Sequence, residues 1–328
     1  MPLKHNVLVL GSQNSKPEDQ KITREEVRPV QLLKKDGNLL PVHFFNNWGE
    51  VGVSSIVWDN RWPNELFVSI NEEIRRLNIK TREFETLELG TIGDLHDIHF
   101  LNDGLLWISN TEYDEVIVYD AEKGDVVRRI SLDEYRWKLD RIDQDEIEKV
   151  KDRFHCNQVF EDYNGNKCVL IHSIHGWLLY RVLFEMLVKK QGEGGVINLE
   201  TGEVHQLKLQ SPHSVRKING EYWIQDSSDL STKIFDESWK HIDTIKTGGF
   251  GRGVDFSEVE DIVYIGLSAT RKRYLKIIPS SEYHSNRILV TTIEEREKLE
   301  EIPIPNIEQL DNVYILNERI LKIFETLI

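Results

Sequence analysis

The chain has 328 residues, 39% hydrophobic and 30% charged, with a formal net charge of −15 at pH 7. That apolar fraction supports a packed core, which excludes a disordered chain, and the acidic balance without a Lys/Arg cluster argues against nucleic acid as a partner. No run of roughly eighteen uncharged apolar residues occurs, and MPLKHNVLVLGSQNS lacks a cleavage-site pattern, so the expectation is a soluble, cytoplasmic protein with no transmembrane segment.

Residues 5–48 hold three strand-like stretches, HNVLVLG, EVRPVQLL and NLLPVHFF, separated by polar turns. A repeated unit follows, in which a polar opening, a turn, an apolar strand and a second polar turn recur: SSIVWDNRWPNELFVSINEEIRRLNI from Ser54, HDIHFLNDGLLWISNTEYDEVIVYD from His96, HSVRKINGEYWIQDSSDLSTKIFD from His213 and RGVDFSEVEDIVYIGLSATRKRYLKI from Arg252. An interrupted copy, FHCNQVFEDYNGNKCVLIHS, opens at Phe154. Spacing of roughly 40 to 60 residues between copies is that of one four-stranded sheet repeated about an axis, an all-β, six-bladed β-propeller. DNVYILN and ILKIFETLI, at the C-terminal end, are read as strands that complete a blade with the N-terminal stretches, making residues 1–328 one domain. Two segments break the β rhythm. SLDEYRWKLDRIDQDEIEKVKDR (131–153) has a serine cap and helical charge spacing, and GWLLYRVLFEMLVKK (176–190) is apolar enough for a buried or interfacial helix. A third irregular stretch, 271–286, is basic.

Each copy opens near the axis of such a ring, so His96, His155, His213 and Arg252 are expected to converge. Strand alternation pairs His155 with Asn157, His96 with Ile98 and His213 with Val215, and sends Asp97 to the opposite side as an outer hydrogen-bond acceptor or blade-to-blade link. Three neutral imidazoles suit Zn²⁺, Mn²⁺ or Fe²⁺ with an open coordination position. His172 and His175 are candidate bases or further ligands, and Arg216 and Arg252 candidates to hold a carboxylate bidentately. The competing reading makes each histidine a donor to the neighbouring blade's backbone, with no ligand at all. No carboxylate ligand is evident from the spacing, which disfavours Ca²⁺.

Other signals are weaker. GGFGRG (248–253) precedes a strand and lacks a Walker lysine, so close backbone approach at a blade junction is expected there. DYNGN (162–166) reads as a hairpin turn, and Asp226 to Asp229 as an inter-strand turn. Cys156 and Cys168 are misaligned for a disulfide across their hairpin and are expected to be reduced.

GDLHDIHF, GLLWISNT, HCNQV, GGVINLETGEV, PHSVRKINGEYWIQDSS, GGFGRGVDF and YIGLSATR, in that order, resemble a bacterial family of propeller-like proteins known only as a domain of unknown function. The resemblance spans about Gly93 to Arg271 and implies the fold, not an activity. Val215 stands where the family's PHSPR pattern has proline, and Cys156 and Gln158 alter its HLNG pattern. More distantly, the blade grammar is similar to the gluconolactonase and strictosidine-synthase group and to the peptidyl-amidoglycolate lyases, six-bladed enzymes whose likeness implies an axial metal, held in the lyases by histidines from different blades.

The resulting expectation is a propeller that binds a small polar or anionic molecule through His96, His155, His213, Asn157, Asp97, Arg216 and Arg252. With a metal it is a lyase or hydrolase. The alternative is a non-catalytic scaffold whose rim helices hold a protein partner or a second copy. A membrane-surface sensor using residues 176–190 is a third reading.

Overall fold

The computed structural model describes residues 3–13, 22–48, 52–70, 72–136, 152–176, 192–269 and 285–328. Most of both expected helical insertions and most of the basic stretch at 271–286 lie outside these residues. Within the first insertion, a short helix α1 (Asp133–Arg136) is described.

Strands follow one another as the repeats predict. The first group is β1 (Asn6–Ser12), β2 (Val30–Leu33) and β3 (Leu39–Pro41); the second is β4 (Ser55–Val57), β5 (Glu65–Ser69), β6 (Ile74–Asn78) and β7 (Phe84–Thr86). The third comprises β8 (Leu95–Phe100), β9 (Leu106–Asn110), β10 (Glu115–Asp120) and β11 (Asp125–Ser131), and the fourth β12 (Cys156–Glu161), β13 (Lys167–Ile171), β14 (Gly194–Asn198) and β15 (Val204–Leu209). The fifth runs β16 (Pro212–Ile218), β17 (Glu221–Asp226), β18 (Ser231–Asp236) and β19 (His241–Lys246), and the sixth β20 (Phe250–Ser257), β21 (Ile262–Ser268), β22 (Arg287–Thr291) and β23 (Lys298–Pro303). The last strand, β24 (Gln309–Leu316), returns to the first group, giving six four-stranded antiparallel sheets, one of them ordered β24-β1-β2-β3. The architecture is a six-bladed β-propeller. One expectation fails: ILKIFETLI is not a strand but most of helix α2 (Glu318–Leu327). Asn317 caps it by accepting from the Ile320 amide, and Ile320, Leu321, Phe324 and Leu327 fall on one buried stripe of 3.6-residue period.

The chain divides into two compact units, Met1–Ser55 with Trp223–Ile234 and Asp243–Ile328, and Ile56–Tyr222 with Phe235–Ile242. In the first, Val7, Val9, Tyr264, Ile288, Leu310 and Val313 form a core between β1, β21, β22 and β24. In the second, one core gathers Phe67, Ile98, Ile108 and Ile117, and another Val116, Phe154, Val159 and Ile197. These are the inward positions of period-2 strands.

Within each unit, polar side chains tie one blade to the first strand of the next. Thr111 Oγ1 donates to the Cys156 carbonyl at 2.6 Å, and the Val215 amide donates to Gln158 Oε1 at 2.5 Å. The other unit repeats the device: Ser227 donates to the Gly251 carbonyl, the Leu310 amide to Ser268 Oγ at 3.2 Å, and the Ile315 amide to Asp255 Oδ2 at 2.7 Å. The glycines of GGFGRG serve the same junctions. A Cβ on Gly253 would lie 2.5 Å from the Val313 nitrogen, and one on Gly251 would lie 2.3 Å from Gln225 Oε1. Both cysteines are free and buried.

Thr111→Val keeps the side-chain volume and removes the hydroxyl, leaving the buried Cys156 carbonyl without this donor. We expect a loss of about 1–3 kcal/mol in urea unfolding, visible as a lower midpoint at unchanged m-value.

Candidate functional site

The site lies within the unit Ile56–Tyr222, where β8, β12 and β16 begin. Regular pairing fails at two of these points: the register shifts between Leu95 and Ile98 in β8 and between Cys156 and Gln158 in β12. Each shift is a one-residue bulge, which re-aims side chains that strict alternation would have placed. The expected pairings therefore change. Ile98 packs in the core while His96 stays partly exposed, and Asn157 becomes the extra residue of its bulge. Left-handed backbone recurs here in residues other than glycine, at Asp94 (φ 47°), Asp152 (57°), His155 (51°), Ser211 (58°) and Ser214 (41°).

These turns bring the expected histidines together. The His96 ring centroid is 4.8 Å from that of His155 and 6.0 Å from that of His213, and His172 is 5.8 Å from His155. Asp94 joins them: one ligand atom each from Asp94, His96 and His155 lie within 4.8 Å of one another. This close group holds two of the three expected histidines, His96 and His155, together with a carboxylate two positions before His96, while His213 lies beside it. The signal that could have found it is the D-x-H spacing, since residues two apart share one face of a strand.

The hydrogen bonds fix two tautomers. His213 Nδ1 lies 2.9 Å from the Ser211 carbonyl, which only accepts, so Nδ1 carries a proton and, in the neutral ring, Nε2 has the lone pair. His155 Nδ1 lies 2.7 Å from Asp152 Oδ1, with the same consequence, and the carboxylate also makes the ring a better ligand. His96 Nε2 is 3.5 Å from Asp94 Oδ2. His172, 8% exposed, shares a 3.2 Å hydrogen bond between its Nε2 and the Ser211 hydroxyl. Burial, reinforced by neighbouring His155 and His96, pushes its pKa down to about 3, so the ring stays neutral.

The remaining expected residues are placed as follows. Asp97 is buried, accepts from the Ile98 amide at 2.9 Å and pairs with His99 Nε2 at 2.9 Å, which in turn meets Gln158 Nε2 at 2.6 Å. Asn157 donates to the Pro212 carbonyl at 2.7 Å. His175 pairs with Glu193 at 3.1 Å, and Arg216 donates to the Val215 carbonyl at 2.8 Å. Arg252 belongs to β20, its guanidinium over the Phe250 ring at 5.6 Å.

Comparison with known proteins agrees with this architecture. Residues 69–322 match a family described as a domain of unknown function, DUF4915. The chain belongs to that family. No curated protein matches the sequence. Among solved structures, a DUF4915 chain such as this one is similar to a protein of unknown function from Bacteroides caccae, at 11% identity over 96% of this chain and 99% of that one, with a TM-score of 0.58. It is also similar to virginiamycin B lyase from Staphylococcus aureus, in a catalytically inactive histidine-to-alanine form with quinupristin, at 14% identity over 78% and 72% of the two chains and a TM-score of 0.50. A chain of a nidogen/laminin complex matches at 8% identity over 94% and 97%, with a TM-score of 0.55. At these identities the likeness is one of fold. Among the described residues no helix is long and apolar enough to cross a membrane.

The depressed pKa of His172 has a sign. The unfolded ring takes a proton below about 6.5, whereas the folded ring does so only near 3. Its contribution to stability is therefore full above 6.5 and declines as pH falls toward 3. Histidine NMR of the metal-free protein should show the His172 ring unshifted between pH 8 and 5; a midpoint near 6.5 would contradict its burial.

Proposed function

We propose that this DUF4915 protein is a small-molecule-binding propeller in which Asp94, His96 and His155, with His213 beside them, hold one divalent transition metal, and that it acts as a lyase or hydrolase on a small anionic substrate. The observation that carries this is the approach of one carboxylate and two imidazoles, contributed by two blades, to within 4.8 Å. Two nitrogen donors and one oxygen donor suit Zn²⁺, Mn²⁺ or Fe²⁺, and fall short of the six to eight oxygens that Ca²⁺ takes. The tautomers assigned to His155 and His213 leave lone pairs on both Nε2 atoms.

The metal would supply a Lewis acid that polarises a substrate oxygen. This chain's own contribution is positional. Asp152 and the Ser211 carbonyl keep two rings in the ligating tautomer. His172 is held neutral, but with its pKa pushed down to about 3 it is too weakly basic to take a proton efficiently near neutral pH, and its Nε2 is paired with the Ser211 hydroxyl. That a lyase of this fold loses catalysis when a histidine becomes alanine is consistent with histidine chemistry on a propeller. A protein-binding role is the second reading, supported by the likeness to a chain crystallised in the nidogen/laminin complex.

Untagged protein should carry close to one equivalent of zinc, manganese or iron by elemental analysis. His96→Ala and His155→Ala should each weaken binding by more than the roughly 10–100-fold typical of losing an outer-shell partner. Folded wild-type protein that takes up none of the three metals in calorimetric titration, iron added anaerobically, would overturn the assignment and favour the protein-binding reading.

A further inference from the structure

Asp114 is a buried acid that no candidate role absorbs. It ends the 3-10 turn Thr111–Tyr113 between β9 and β10, with a left-handed backbone (φ 50°) and 4% exposure. The corresponding position of the fifth blade, after the turn Ser227–Asp229, is Leu230 at φ 53°. This shape of turn therefore needs no carboxylate. Burial does not favour one either, since it pushes the Asp114 pKa up to about 6 against the lowering effect of its amide donors.

What the carboxylate does is grip a segment of the next blade. Asp114 Oδ2 accepts from the Arg153 amide at 2.7 Å, and Oδ1 accepts from the Phe154 amide at 2.8 Å and the His155 amide at 3.3 Å. The opposite side of the segment is held through its carbonyls: the His172 amide donates to Phe154 and His155, and the Ser173 amide to Phe154. Left-handed residues stand at both ends of the gripped segment, Asp152 before it and His155 within it, a conformation that persists only when surroundings over-determine it. The same segment carries the His155 ring and the Asp152 carboxylate that orients it.

We infer that Asp114 is a positioning residue that, through three backbone amides, holds the His155 imidazole where the metal site requires it. This rests on the proposed metal site and adds to it a residue that touches neither metal nor substrate. Because the grip is on backbone, its loss should free the ring's position without removing any ligand. Asp114→Asn retains one acceptor oxygen and presents an NH₂ to an amide donor, so it should fall between wild type and Asp114→Ala.

The test uses Co²⁺ alone as probe, on the full chain, reading both affinity and the visible absorption of the bound ion. Wild type should bind one Co²⁺. Asp114→Ala should bind about 10–100-fold more weakly, with altered band positions, and Asp114→Asn should be intermediate in both. Ser227→Ala, which removes an equivalent blade link in the other unit, controls for general destabilisation and should keep the wild-type spectrum. Should Asp114→Ala not fold, Asp114→Asn carries the same comparison. Unchanged affinity and spectrum in a folded Asp114 variant would overturn the positioning role while leaving the metal site standing. Wild type that binds no Co²⁺ would overturn both.

Discussion

A propeller blade leaves its first strand as an open sheet edge, and the amides and carbonyls along that edge must find partners. In each unit they find side chains of the neighbouring blade. Thr111 and Ser227 serve carbonyls, and Gln158, Ser268 and Asp255 serve amides. Unmet, each buried backbone group would cost about 1–3 kcal/mol, a large fraction of a typical domain's stability. The polar residues that mark each repeat are therefore first of all the means by which blades adhere. This explains why Asp97, Asn157 and Gln158, polar and close in sequence to the histidines, are engaged with amides, a carbonyl and the His99 ring.

The site arises where that edge pairing is interrupted. Bulges at the start of β8 and β12, with left-handed residues before or within the first strands, turn side chains away from the blade-to-blade packing and toward each other. Each non-glycine residue in this region of backbone costs about 1–2 kcal/mol. Five of them beside four clustered histidines amount to a destabilising arrangement that packing alone does not call for. Left-handed backbone recurs elsewhere in the chain, as at Leu230, but where it falls beside a group of ligand-type side chains it fits a site pre-organised for binding.

The period of the repeats made the propeller legible, because a recurrent polar–apolar unit has few ways to bury its faces. It also placed His96, His155 and His213 together, since each opens a copy. What stayed hidden depended on departures from regular backbone. Asp94 comes from the turn before β8, where its φ is positive and a bulge follows, so nothing in the repeat marked it, although its two-residue spacing from His96 would share a face in an ideal strand. Asp114 acts through amides forty residues distant in sequence, and NTEYDEV reads as an ordinary turn because its equivalent in the fifth blade is one. The C-terminal run was misread for a different reason. ILKIF is a short apolar run broken by one lysine, too short to tell strand from helix, and only the longer spacing of Ile320, Leu321, Phe324 and Leu327, with Asn317 before it, separates the two.

The overall charge bears on what such a site would bind. At −15 the protein repels anions at long range, but ionic screening confines that repulsion to about 10 Å at 0.1 M salt. Inside the histidine cluster the local balance is set by the nearest full charges. In the proposed site these would be a divalent cation against Asp94, with Asp152 committed to His155 by a 2.7 Å hydrogen bond. A bound cation is the largest local charge in such surroundings and reverses the sign felt by a ligand. A net negative charge that disfavours polyanions is thus compatible with capture of one small anion at a metal held there. A polymer would have to cross the surface at many points, whereas a small carboxylate would meet only the residues around that metal.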